Sequence, residues 1–487
     1  MGKTFFWYDF EATGIDPRRD RPLQVAGVRT DEDLNEVGEA LCIDCRLADD
    51  VLPHPMACLI TGIGPERATQ GLPEAEFIGR LHAQMAEPGT CSVGYNSLRY
   101  DDEMTRFTLY RNYYDPYTRE WQGGNSRWDL LDALRAAHAL RPQGIVWPQQ
   151  EGFTRLRLEL LTQANGIEHG QAHDALADVR ATIGMARVLK RAQPKLFDYL
   201  LDLRSKQRVT ALIDLQQVRP LVHVSGRFGR ERQGLALVLP LAWHPQNKNA
   251  LIVWDLAVDP GMLMDLSADQ LRERLYSRRE DLPEGEQRPG LKLVHINKCP
   301  VLADTKVLRA EDIQRLQLDM PQLLGNAEQL AGWRSGGQAK LQAIYAAQAA
   351  VGSAPAEAEQ QLYDGFISDA DRRILPMIRE ADGAMLAKTQ WPLRDQRLLD
   401  MLLRYRARNF PGSLNEAEQA QWQAYCKARM TGEQAGAPLT LEAFLQAADE
   451  AIAQGADPAQ HVLLDNWRRF ALERCAAMGL SGQGQGR

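Results

Sequence analysis

Long apolar runs are missing from these 487 residues. The longest, Leu235 to Trp243, is interrupted by Pro240 and falls far short of the roughly 20 residues that a bilayer span needs. No membrane span is expected. The opening MGKTFFWYDF lacks a cationic leader with an apolar run and cleavage site, and Phe6 stands where a myristoylation signal wants Ser or Thr. A cytoplasmic location is the expectation. Cysteine is sparse: Cys42, Cys45, Cys58, Cys91, Cys299, Cys426 and Cys475 are odd in number and scattered, which argues against a disulfide framework and suits a reducing compartment. Cys42 and Cys45 form a CxxC, but no second ligand pair accompanies them, so they read as strand cysteines rather than zinc ligands. A cationic excess is lacking too. The net charge of −7 speaks against indiscriminate nucleic-acid binding, although a global sum says little about one face.

What is present is ordinary globular composition, 44% hydrophobic and 25% charged, in a chain long enough for two or three domains. The first part reads as α/β. Thr4 to Phe10, Leu23 to Arg29 and Val37 to Ile43 are strand-like, with a turn at Thr30-Asp31-Glu32-Asp33 before the third. Asp129 to Leu140 and Leu176 to Leu189 carry the helical repeat. Between about Arg208 and Asn297 the pattern changes to short apolar runs, Leu221 to Val224, Leu235 to Leu239, Leu251 to Leu256 and Leu291 to Ile296, which predict a small β-rich domain. From Glu311 onward the spacing is helical, as in Leu398, Leu399, Leu402 and Leu403, and the Gly-rich tail after Met478 is expected to be disordered. From Arg204 to Arg232 seven cations stand against two carboxylates, a net +5 that fits either a phosphate path or a solvated loop surface.

Three acidic elements carry chemistry. In Trp7-Tyr8-Asp9-Phe10-Glu11-Ala12-Thr13-Gly14 the period of a strand puts Asp9 and Glu11 on one face. Neighbouring carboxylates repel unless a cation neutralises them, and a hard divalent ion such as Mg²⁺ prefers oxygen ligands; a solvated acidic edge is the alternative. In Gly94-Tyr95-Asn96-Ser97-Leu98-Arg99-Tyr100-Asp101-Asp102-Glu103 a strand-to-helix junction presents Asn96 and Asp101 at one end of the sheet, where an acid also serves as a helix cap. In Ala172-His173-Asp174-Ala175-Leu176-Ala177-Asp178 the spacing puts His173 in the loop, Asp174 at the cap and Asp178 inside the helix.

The order DxE, N-x₄-D, H-x₄-D resembles the three motifs of the histidine-bearing branch of the DEDD exonuclease superfamily. Leu59-Ile60-Thr61-Gly62-Ile63, Asn125-Ser126-Arg127-Trp128-Asp129-Leu130-Leu131-Asp132, Leu221-Val222-His223-Val224-Ser225-Gly226, Lys292-Leu293-Val294-His295-Ile296-Asn297-Lys298-Cys299-Pro300 and Asn409-Phe410-Pro411-Gly412 extend the likeness along nearly the whole chain to the bacterial exodeoxyribonuclease I family. The resemblance implies an RNase H-like exonuclease domain with a mixed sheet (1–193), an SH3-like barrel with helical insertions (194–348), a C-terminal helical domain (349–477) and a tail (478–487). It implies 3′→5′ hydrolysis of single-stranded DNA to 5′-mononucleotides in repair and recombination. The ligands would be Asp9, Glu11, Asp101 and Asp178 around two Mg²⁺ ions, which Mn²⁺ could replace, with His173 as general base. Glu11, Arg157, Arg106, Tyr117, Trp121, Arg135, Lys206, Asn249, Lys292 and Asn297 match substrate-contacting positions, Arg157 as a phosphate clamp. Arg141, Tyr199, Arg219 and Arg309 match positions for the acidic C-terminal tail of single-stranded-DNA-binding protein. A monomer is expected. An RNA-processing or proofreading exonuclease of the same fold, and an inactive single-strand binding module, are the competing readings; end-labelled DNA and RNA oligonucleotides separate them.

Overall fold

The computed structural model describes residues 3–170, 174–346, 357–433 and 439–480. They form two compact units, one of Met1–Ser126, His169–Ile183 and Gly352–Arg487, the other of Arg127–Glu168 and Gly184–Val351. Among the described residues no helix is long and apolar enough to cross a membrane.

The first unit is built on β1 (Thr4–Ala12), whose aromatic residues favour extended backbone. β2 (Pro22–Thr30) pairs with it antiparallel and β4 (Thr90–Gly94) parallel, while β3 (Leu41–Asp44) lies outside β2, giving the order β3-β2-β1-β4. This is the expected mixed sheet. β3 starts later than its predicted Val37, because Leu34 and Gly38 hold φ of 68° and 76° and prolong the turn. Behind the sheet, α1 (Glu74–Met85) buries Phe77, Ile78, Leu81 and Met85 against Phe6, Tyr8 and Phe10. α2 (Asp101–Arg111) is buried at every position except Glu103, as a helix enclosed on nearly every side is. Met104 and Leu109 face the sheet side, whereas Phe107 and Tyr110 join Leu375, Ile378, Leu398, Met401 and Tyr405 of the C-terminal helices. α3 (Ala175–Ala192) begins in this unit and carries Asp178 in its first turn.

The C-terminal helices close over the same unit. Phe444, Trp467 and Ala471 pack on Leu23, Leu47 and Val51, and Met478 and Leu480 pack against that cluster. The disorder expected directly after Met478 is not found at Gly479 and Leu480, and residues 481–487 lie outside the described ones. A buried ion network also joins these parts: Arg408 bridges Asp50 at 2.8 Å and Glu359 at 2.6 Å, Arg21 pairs with Glu359, and Arg429 meets Glu357 at 2.8 Å.

The second unit holds an antiparallel sheet of β5 (Leu221–Val224), β6 (Leu235–Trp243), β7 (Ala250–Asp255), β8 (Leu291–His295) and β9 (Val301–Asp304), in the order β8-β7-β6-β5-β9. β6 continues past Pro240, which cannot donate a ladder hydrogen bond, because the register shifts opposite it between Ile252 and Val253. β9 went unanticipated, four residues directly behind Pro300 being too short for a periodic signal. Helices Ala310–Arg315, Met320–Arg334 and Gln338–Ile344 belong to this unit and not to the C-terminal helical part.

Candidate metal centre

β1 delivers Asp9 and Glu11 to one face, as the strand period requires. Asp178 arrives from the first turn of α3, and ligand oxygens of the three carboxylates lie within 4.8 Å of one another. Among the described residues this is the one group of three or more metal-ligating side chains. Asp101, 4% exposed at the start of α2, accepts the Phe10 N–H at 3.1 Å and so sits against the backbone between Asp9 and Glu11. His173 lies outside the described residues. Asp174 caps α3, accepting the Ala177 N–H at 3.1 Å.

The electrostatics of the group are adverse without a cation. Burial, followed by the Asp9, Asp178 and Asp174 carboxylates, pushes the Glu11 pKa up to about 9, with Arg67 a weaker opposing influence. Burial, then Asp101 and Asp178, holds Asp9 well above the usual carboxylate range. An all-oxygen set of converging acids suits a hard divalent cation, which would reverse both shifts.

The loop after Glu11 is fixed by Asp20, which accepts the Thr13 hydroxyl at 2.9 Å and the Asp16 N–H at 2.8 Å. A Cβ on Gly14 would lie 2.6 Å from that carboxylate, so only glycine fits there. Tyr100 donates its hydroxyl to the Gly14 carbonyl and ties the loop to the approach of α2. Sequence reasoning missed His169, whose Nε2 lies 2.5 Å from Asp178 Oδ1. A histidine nine residues upstream across a loop has no periodic relation to the acid it meets.

The substrate-contact candidates divide by environment. Trp121 is 65% exposed, and Tyr117 is half-buried under the Arg106 guanidinium at 5.5 Å. Arg106 itself is buried, paired with Glu120 at 2.7 Å and Glu103 at 2.9 Å, so its charge is spent inside the unit. In the second unit Lys206 donates to Asn249 at 2.6 Å, Lys292 stands 4.3 Å over the Phe228 ring, and Asn297 is exposed with its carbonyl on Arg127. Arg135 pairs with Asp132 and lines a cleft of about 450 Å³ with Phe153, Arg155, Phe228 and Arg230. Arg157 is exposed and meets Glu159 at 2.5 Å. In the +5 stretch Arg219 pairs with Asp304 and Arg232 with Asp255, which lowers its free positive charge. Arg219 shares the surroundings of β9 with two further tail candidates: Tyr199 donates to the Leu302 carbonyl at 2.7 Å, and Arg141 donates to the Val307 carbonyl at 2.8 Å. Arg309 is exposed and pairs with Glu311.

Acids converging on the central strand of a mixed sheet define an exonuclease domain dependent on divalent metal, and the family model described as Exonuclease matches residues 6–186. Exonuclease I SH3-like domain matches residues 204–347 and Exonuclease I C-terminal domain residues 356–474. Exodeoxyribonuclease I of Escherichia coli strain K12 is 49% identical over 422 residues, 86% of this chain and 88% of that one. The zinc-ion-bound form of the E. coli ExoI–ssDNA complex superposes with a TM-score of 0.92 at 45% identity, covering 97% of this chain and 100% of that one. An ExoI/SSB-Ct complex gives a TM-score of 0.90 at 45% identity, with the same coverage of each chain. The chain belongs to the exodeoxyribonuclease I family.

Proposed function

We propose that this chain hydrolyses single-stranded DNA from its 3′ end, releasing 5′-mononucleotides in repair and recombination, with Asp9, Glu11, Asp101 and Asp178 holding Mg²⁺. The observation that carries the reading is the convergence of the Asp9, Glu11 and Asp178 oxygens within 4.8 Å in a domain matched by the Exonuclease model. Bound divalent cations supply acidification of a water and neutralisation of charge on the phosphate and the departing oxygen. His173 accepts the proton of the attacking water. Asp101, anchored on the Phe10 N–H, is the fourth carboxylate of this set. Mn²⁺ substitutes for Mg²⁺ because the ligands are carboxylates.

Binding without sequence preference needs aromatic faces for bases and cations for phosphates. Trp121 and Tyr117 supply faces. Arg157, Arg135, Lys206 with Asn249, Lys292 and Asn297 supply phosphate and polar contacts. Arg106 acts by holding Tyr117 rather than by touching phosphate, since Glu120 and Glu103 neutralise it. The acidic tail of single-stranded-DNA-binding protein docks at Arg141, Tyr199, Arg219 and Arg309, a reading supported by the ExoI/SSB-Ct complex of a relative. The family-model spans support three domains at 1–193, 194–348 and 349–477.

Oligonucleotides labelled at either end test the activity. Mg²⁺-dependent shortening of single-stranded DNA from the 3′ end is expected, lost in Asp9→Ala while binding in EDTA persists. Faster cleavage of RNA than DNA, or binding with no shortening, would overturn the reading.

A further inference from the structure

Asp102 takes no part in the site described above, yet it is deeply buried, 1% exposed. Two groups hold it. The Tyr8 hydroxyl donates to Oδ1 at 2.8 Å, and Arg119 Nη2 donates to the same oxygen at 2.8 Å. Tyr8 directly precedes Asp9 on β1, and Asp102 directly follows Asp101 on α2. Asp101 in turn accepts the Phe10 N–H at 3.1 Å. Two successive acids at the start of α2 therefore grip β1 on either side of Asp9, one through a side chain and one through the backbone.

We infer that Asp102, held by Tyr8 and Arg119, is a positioning residue that fixes the first turn of α2 on β1 so that Asp101 meets Asp9 and Glu11 in register. The inference rests on Asp101 being a metal ligand. Energetics favour geometry over stability as the reason for the arrangement. Arg119 is 1% exposed, and among the described residues its Nε and Nη1 have no hydrogen-bond partner, an uncompensated desolvation. A buried ion pair with two orphaned donors returns little net stability, because desolvation offsets the attraction. Partners behind metal ligands characteristically act by orienting them. Acids in a first helical turn also complement the helix dipole, but that needs neither a buried tyrosine hydroxyl nor a buried arginine.

The test compares Tyr8→Phe, which deletes one hydroxyl, with the double variant Asp102→Asn/Arg119→Met, which removes both buried charges together. Tyr110→Phe is the control, since it deletes another buried hydroxyl, donated to the Ala358 carbonyl at 3.1 Å from the far end of α2. The readouts are the Mg²⁺ concentration giving half-maximal 3′-end cleavage, KM for single-stranded DNA, and Tm in EDTA. Tyr8→Phe and the double variant are expected to raise half-saturating Mg²⁺ by about 10-fold with KM unchanged. Tyr110→Phe should lower Tm without moving the metal requirement. Tyr8→Phe decides alone if the double variant does not fold. A metal requirement and kcat within about twofold of the parent would overturn the positioning role, whatever happens to Tm. Asp101→Asn separates the two claims: surviving cleavage overturns the ligand reading and this inference with it, while loss of cleavage beside an unaffected Tyr8→Phe overturns the inference alone.

Discussion

Glu11 is a burden to the metal-free fold, and replacing it should stabilise the protein while destroying its chemistry. Burial and neighbouring carboxylates raise its pKa from 4.5 to about 9. A carboxyl raised in this way keeps its proton in the folded state over a range where the unfolded chain has already released it. Stability is then highest below the unfolded value of 4.5 and falls as pH rises toward about 9, the reverse of a salt-bridged acid. At about pH 7.5 the fold sits roughly three pH units into that range, and about 1.4 kcal/mol per unit gives a ceiling of about 4 kcal/mol. Glu11→Gln removes the charge and keeps the shape. Melted in EDTA, the variant should exceed the parent at about pH 8 and match it near about pH 4.5. Added Mg²⁺ should raise the parent more than the variant, and cleavage by the variant should be lost. Parallel melting curves for the two proteins across this range would refute the reasoning.

Further tests address other parts of the molecule. Arg408→Met removes the cation shared by the buried Asp50 and Glu359 carboxylates, which keep Arg429 at 3.3 Å and Arg21 respectively, and should cost up to about 3 kcal/mol, read as a fall in Tm; an unchanged Tm would show the network to be dispensable. Trp121→Ala removes an exposed indole and should weaken single-stranded DNA binding by about 1–3 kcal/mol in fluorescence anisotropy with EDTA, whereas equal affinity would take it off the DNA path. His173→Ala should lower turnover by about 10²–10⁴ with little change in KM, and an unchanged kcat would exclude proton transfer by this residue.

Residues whose roles follow from local periodicity were legible in the sequence. Asp9 and Glu11 share a face because strand side chains alternate, and Asp178 lies inside α3 because Asp174 caps it. Partners distant along the chain were not legible. Arg106 looks like a free cation in sequence, but folding buries it and brings Glu120 to it at 2.7 Å. Asp102 reads as a spare acid until Tyr8, 94 residues away, is seen to donate to it. The same holds for Arg21 and Glu359, separated by 338 residues, whose pairing helps explain why the C-terminal helices belong to the same compact unit as β1. Short elements also escaped: β9 has four residues and no room for a pattern.

Anomalous scattering from crystals soaked in Mn²⁺ with a single-stranded oligonucleotide tests most directly whether these acids hold the catalytic cations. The expected result is manganese bound by Asp9, Glu11 and Asp178, with Asp101 beside it and the 3′ end of the strand against the metal. Manganese bound elsewhere, with these four carboxylates empty and the strand end remote from them, would contradict it.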